Sequence, residues 1–202
     1  MNASKKPRGR PRTFDKVAAL DTALRLFWQH GFEGTSIAAL AHAVGVTIPS
    51  LYLAFGNKES LFMRAVERYG QYNGKLYENA FKKRSAREVA RSILEGEVDL
   101  VLGRDTPDGC LMVQGALATS PESETVRLAM AELRRVAEAE VADRFRQAAK
   151  EGDVLPDGAD PDALAAYVMT VASGLAVQAR TGFSRAQLDR VVEIAMGIWR
   201  VR

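Results

Sequence analysis

The side chains able to do chemistry fall into three groups. The first is basic: Lys5, Lys6, Arg8, Arg10 and Arg12 stand in the first twelve residues with no acid among them. The chain carries a net charge of +3, so the remainder sums to +3 − 5 = −2 and the basic character belongs to this arm. Its Pro7-Arg8-Gly9-Arg10-Pro11 core reads as a thin, extended backbone that lets arginines enter a narrow groove of negative potential, as A·T-rich duplexes present. The second group is Thr47, Pro49, Ser50, Tyr52 and Leu53, with Lys58 just beyond, a set suited to non-covalent recognition. The third is Cys110 in Gly-Cys-Leu-Met. A thiol at a helix start has a lowered pKa and can sense oxidants or electrophiles. His30 and His42 have no carboxylate or cysteine at catalytic or metal-ligand spacing, and Glu138 and Glu140 read as solvated helix faces. Phosphate-loop and G-x-S-x-G patterns are absent, so the expectation is no enzyme, no cofactor and no metal.

The elements that must position the second group lie between residues 33 and 62. Ile37, Leu40, Ala41 and Val44 recur at i, i+3, i+4, i+7 and make one apolar helical stripe. Thr35 stands where its hydroxyl caps that helix. Gly45 follows the stripe, where a left-handed residue ends a helix cheaply. Thr47 caps the next helix, with Pro49 in its first turn, where the missing N–H costs nothing. Over residues 48 to 55 the angular spacing puts Ile48, Leu51 and Phe55 on a core face with Tyr52 at its edge. Pro49, Ser50, Leu53 and Ala54, with Thr47, take the opposite face. Asn57 caps a further helix and sets Lys58 in its first turn. There a cation opposes the helix dipole and calls for an anionic partner, such as a phosphate. Two short helices about a glycine turn form the pattern that lays its second helix in the major groove of DNA.

The segment T-S-I-A-A-L-A-H-A-V-G-V-T-I-P-S-L-Y-L-A-F-G-N-K-E-S-L resembles the DNA-binding signature of the tetracycline-repressor-type (TetR/AcrR) family of bacterial regulators, over about residues 12 to 65. One departure is Ala54, where the family often carries His or Tyr before the Phe. The resemblance implies a dimeric, all-α regulator, usually a repressor, with a helical effector domain whose small-molecule occupancy changes the separation of its reading heads. The DNA contacts expected are Arg10, Arg12, Thr35, Ser36, Thr47, Pro49, Ser50, Tyr52, Leu53 and Lys58. The exposed face of the reading helix lacks Arg, Asn and Gln and so cannot make bidentate base contacts. Specificity should rest on thymine methyls, duplex shape and the arginine arm, favouring an A·T-leaning operator.

The remaining pattern is helical throughout, and the expected fold class is all-α. The expected division is a basic arm over 1–12, a three-helix DNA-binding domain over 13–58, and an effector-binding and dimerisation domain over 59–202. Helices are predicted over 15–30, 58–80, 85–102 after the Ser85-x-x-Glu88 capping box, 110–118, 120–150, 160–181, and from the Ser184-x-x-Gln187 box nearly to the C-terminus. Tyr167, Val168, Val171 and Leu175, with small Gly174, make one stripe. Val191, Ile194, Ile198 and Trp199 make another that is broader than one packed side requires. These two helices are the expected homodimer surface, and twofold symmetry then implies a near-palindromic operator. Met112, Phe145, Tyr167 and Met169, with Gln178 as a polar anchor, are candidates for the effector pocket.

The single cysteine suits a reducing compartment, and neither a signal peptide nor an apolar run of membrane-spanning length is evident in the sequence. The expected setting is therefore the bacterial cytoplasm, at the nucleoid. Two alternatives stay open at this point: an AT-hook architectural protein that binds A·T DNA without an operator, and a Cys110-based redox or electrophile sensor of the same fold.

Overall fold

The computed structural model describes residues 15–103 and 106–199. Arg10 and Arg12, and the arm as a whole, lie outside them. All regular elements among the described residues are helical, nine α-helices with three short 3₁₀ turns.

Helix α1 (Lys16–His30) is capped by Asp15, whose carboxylate accepts from the backbone N–H of Val17 and Ala18. Ala23, Leu24, Phe27 and Trp28 form its buried face. Gly31 stops it at φ 70°, ψ 179°, a conformation left to glycine. Helix α2 (Ile37–Val44) is capped by Ser36, not Thr35: the Ser36 hydroxyl accepts from Ala39 N. Gly45 ends it in the left-handed region at φ 76°. Helix α3 (Ile48–Phe55) follows after three residues, capped by Thr47, and crosses α2 at 92°. Helix α4 (Lys58–Phe81) is capped by Asn57, which accepts from Ser60 N at 2.7 Å.

Helix α4 binds the two ends of the molecule together. Its first half packs on α1 through aromatic pairs: Phe27 meets Phe62 edge-on at 5.0 Å, and Trp28 meets Tyr69 at 4.6 Å. Its second half packs on α5 (Ala86–Val101), which opens with the Ser85/Glu88 capping box. The short helix α6 (Leu111–Gln114) is one turn long, well short of the 110–118 expected. A 3₁₀ turn at Pro121–Ser123 then precedes α7 (Glu124–Lys150), so Ser120-Pro121 starts the turn and not the helix itself.

Helix α8 (Pro161–Arg180) runs through the core against α5 and α7. It is long and apolar enough to cross a membrane by length and composition, although the sequence reading expected no such run. Leu164, Ala165, Val168, Ala172, Leu175, Ala176 and Ala179 of this helix are buried within the chain. The chain closes with α9 (Arg185–Ala195) and a 3₁₀ turn to Trp199.

Candidate reading face and cavity

Helix α3 presents its polar and apolar sides as the angular spacing requires, with two exceptions. Leu51 and Phe55 are buried, and Thr47, Pro49, Ser50 and Tyr52 are exposed. Leu53 stands 91% exposed, a leucine with no packing partner of its own. The exceptions are Ala54, expected on the free face and found partly buried against the core, and Ile48, expected in the core and found 40% exposed, which adds an apolar side chain to the free face. The Thr47 and Ser50 hydroxyls lie 2.9 Å apart, which fixes both at the start of the helix.

Two expected contacts change meaning. Thr35 is 2% exposed, and its hydroxyl donates to the Gly31 carbonyl at 2.7 Å. It therefore braces the α1–α2 corner and is not available to a ligand, which corrects the expectation of a DNA contact there; Ser36 is the exposed hydroxyl of the pair. Lys58 already has partners. Its Nζ sits 4.2 Å over the Phe32 ring, and the Glu33 carboxylate acts on it. Burial lowers the ammonium pKa and Glu33 opposes that effect. Glu33 is itself held below the usual carboxylate range, chiefly by the Ser120 backbone N–H it accepts from at 3.0 Å.

Behind the reading head, helices α4, α5, α7 and α8 and the 110–113 segment line a half-open cavity of about 560 Å³. Met112 and Met169 line it, as the sequence suggested. The other three candidates do not. Phe145 is fully buried core, and the Tyr167 hydroxyl donates to the Ala195 carbonyl at 3.1 Å, tying α8 to α9. Gln178 is exposed at the end of α8, where it meets Thr181.

Cys110 faces the cavity, but the thiol chemistry expected of it does not follow. It is 3% exposed and accepts from the Tyr69 hydroxyl at 3.2 Å. Burial, with the nearby Glu97 charge, pushes its pKa up to about 12. The helix it opens is a single turn, so the dipole that was to lower the pKa is too weak to outweigh desolvation. The reading of Cys110 as an activated thiol sensor is thus corrected.

The group that sequence reasoning missed is Glu97, which also lines the cavity. It is 4% exposed, and burial raises its carboxyl to about 7, with the Cys110 thiol opposing as a hydrogen-bond partner. A signal existed: Glu97 falls on the buried stripe of α5 together with Ala90, Ile93, Leu94 and Val101. A carboxylate on an apolar stripe marks a pocket or a paired charge.

The segment from Gly109 to Ser120 joins cavity to reading head. Trp28 Nε1 donates to the Gly109 carbonyl at 2.9 Å, and Phe32 N donates to the Gly115 carbonyl at 2.7 Å. Gln114 Nε2 donates to the Trp28 carbonyl, and Ser120 N to Glu33. Cys110, Met112 and Val113 of the same segment face the cavity.

The proposed dimer stripes divide. Val168, Leu175 and Trp199 are buried within their own chain, at 0%, 1% and 8% exposure, and Val171 is half-buried, so these belong to the core or its edge. Ile194 is 74% exposed, and Val191, Ile198, Gly174 and Val177 are also exposed. The free apolar face is thus on one side of α9 and the end of α8.

A two-helix reading head on a helical body defines the class: a helix-turn-helix DNA-binding regulator. Residues 19–65 match the family described as bacterial regulatory proteins, tetR family, and residues 88–195 match the tetracyclin repressor-like C-terminal domain. The chain belongs to the TetR family of bacterial transcriptional regulators. It is similar to the HTH-type transcriptional repressor ComR of Escherichia coli K12, at 32% identity over 96% of this chain and 93% of that protein. It is also similar to the repressor BdcR of the same organism, at 29% identity over 93% and 90%. Among solved structures, a cysteine-substituted form of the TetR family regulator CifR in complex with 26-base-pair operator DNA superposes with a TM-score of 0.88. It is 39% identical, over 95% of this chain and all of that one.

Proposed function

We propose that this regulator binds a near-palindromic, A·T-leaning operator as a homodimer, represses from it, and is released by a small molecule entering the 560 Å³ cavity. The observation that carries the reading is the α3 face. Thr47, Pro49, Ser50, Tyr52 and Leu53 stand free on one side of a helix whose other side is anchored by Leu51 and Phe55. That face has hydroxyls and apolar groups and no guanidinium or amide. It therefore suits thymine methyls and phosphates in the major groove, with the 1–12 arm supplying charge. Ser36 and Lys58 flank the face at the starts of α2 and α4 and take phosphates. Residues 13–58 act as the reading domain and 59–202 as the effector and dimer domain, in the bacterial cytoplasm.

The dimer forms through Gly174, Val177, Val191, Ile194 and Ile198. Twofold pairing covers an apolar face that would otherwise meet water. Release works through the 109–120 segment. A guest that displaces Met112 or Val113 moves the carbonyls to which Trp28 and Phe32 donate, and the head shifts with them. A ligand acts only by its preference for the displaced state. CifR's complex with operator DNA supports the first half of this reading.

Selection of bound sites from random duplexes tests it. The expected product is a twofold-symmetric motif rich in thymine at the contacted positions. A G·C-rich or asymmetric motif would overturn it, and binding without any motif would favour the architectural alternative.

A further inference from the structure

Both tyrosine hydroxyls and one arginine N–H of the cavity are already engaged, while one of its buried acceptors is not. The Tyr69 hydroxyl donates to Cys110 Sγ, the Tyr77 hydroxyl to Met169 Sδ at 3.6 Å, and Arg134 Nη1 to the Met112 carbonyl at 2.7 Å. Against these, Asn73 Oδ1 is buried with no partner. Glu97 is buried with only the Cys110 thiol against its carboxyl and no ion pair among the described residues. Glu67 and Glu140 stand exposed at the rim, so three carboxylates and one engaged guanidinium line the space. Apart from Ser173, the rest of the wall is apolar, with Met63, Val66, Val113, Leu133, Val136 and Met169.

A guest must therefore bring donors, and one carrying a carboxylate or phosphate would face a surplus of like charge. We propose that the effector is a lipophilic amine. Its protonated nitrogen sits at Glu97, with an N–H available to Asn73 Oδ1, and its hydrocarbon body lies along the methionine and valine wall. The inference rests on the reading of this cavity as the effector site. A buried carboxylate gains most from a cation that shares its desolvated space, because the alternative is an unpaired charge or a retained proton. Burial raises the Glu97 carboxyl from its ordinary value to about 7, so near neutral pH it is only partly protonated, and an arriving ammonium that pairs with the carboxylate favours loss of the remaining proton. The groups facing it, Tyr69, Tyr77 and Cys110, are neutral in this range because burial holds each pKa high. Arg134 and the rim carboxylates Glu67 and Glu140 are the other ionisable groups around the space. Amine affinity therefore weakens as the pH falls below about 7.

Calorimetry on the full-length protein, without DNA, tests this at slightly alkaline pH with three probes of one shape: biphenylylmethylamine, biphenylylmethanol and biphenylylcarboxylate. The amine is expected to bind at least roughly tenfold tighter than the alcohol, and the carboxylate weakest. Glu97→Gln should remove the amine's advantage while leaving alcohol binding unchanged. Asn73→Leu should weaken the amine several-fold with Glu97 intact, which keeps the test independent of the fold of any one variant. An alcohol or carboxylate that matches the amine, an amine unaffected by either substitution, or an amine that does not bind would each overturn the proposal. Operator binding by the ligand-free protein is measured separately, so a failed reading head and a wrong ligand class give different results.

Discussion

Glu97 is the residue whose environment departs furthest from what its type prefers. Its folded pKa of about 7 lies above the ordinary value of 4.5, so the folded state holds its proton more tightly than the unfolded chain does. The stability associated with that proton is fully present below about 4.5 and is lost as the pH rises through about 7. Denaturant unfolding of the wild type and Glu97→Gln across this range should show the wild type losing stability relative to the variant as pH rises. Parallel curves would mean the carboxyl is not desolvated. On the reading face, Leu53→Ala should leave unfolding unchanged within about 0.5 kcal/mol, because the side chain is 91% exposed. The same change should weaken operator binding by about 1 kcal/mol, read by titration at stated salt. Loss of stability without loss of affinity would contradict the proposed role. The sequence showed the free face of α3 because hydroxyl and proline spacing is local. It misplaced Thr35, because which of two adjacent hydroxyls caps and which turns inward is decided by packing of Gly31 and α1, not by either residue.

At the scale of elements, the sequence was informative wherever a boundary is set by a local signal. Asp15, Ser36, Thr47, Asn57, Ser85, Asp160 and Ser184 all sit at helix starts, and Gly31, Gly45 and Gly56 follow helix ends. The 109–120 segment was not legible, since its shape comes from bonds to α1 more than eighty residues away in sequence, as in Trp28 to Gly109 and Gln114 to Trp28. Two changes probe this junction. Trp28→Phe removes a buried donor from the Gly109 carbonyl and should lower stability by about 1–3 kcal/mol by denaturant titration. Gly31→Ala forces a Cβ into a backbone conformation foreign to L-residues, 3.3 Å from the Gly115 oxygen. It should cost about 1–3 kcal/mol. Either variant that retains operator binding should also respond less to the effector, since the head is then less firmly tied to the cavity wall. Undiminished response with lowered stability would place the coupling elsewhere.

For the molecule as a whole, apolar periodicity located α8 and α9 but could not tell which stripe faces its own chain. Val168 and Leu175 look outward-capable in sequence and prove to be core, because α8 is wrapped by α5 and α7. What remains free is centred on Ile194. Ile194→Arg should leave the helical content intact, give a monomer by light scattering, and lower operator affinity by more than an order of magnitude, because two half-sites are then bound independently. A dimer that survives this change would move the interface away from α9.

The width of the apolar reading face has a thermal consequence. Ile48, Tyr52 and Leu53 hold their surface in water in the free protein, and docking on thymine methyls would dehydrate it. Operator association will then carry a negative heat-capacity change. The binding enthalpy should become steadily more favourable on warming, while the entropy that drives association in the cold fades away.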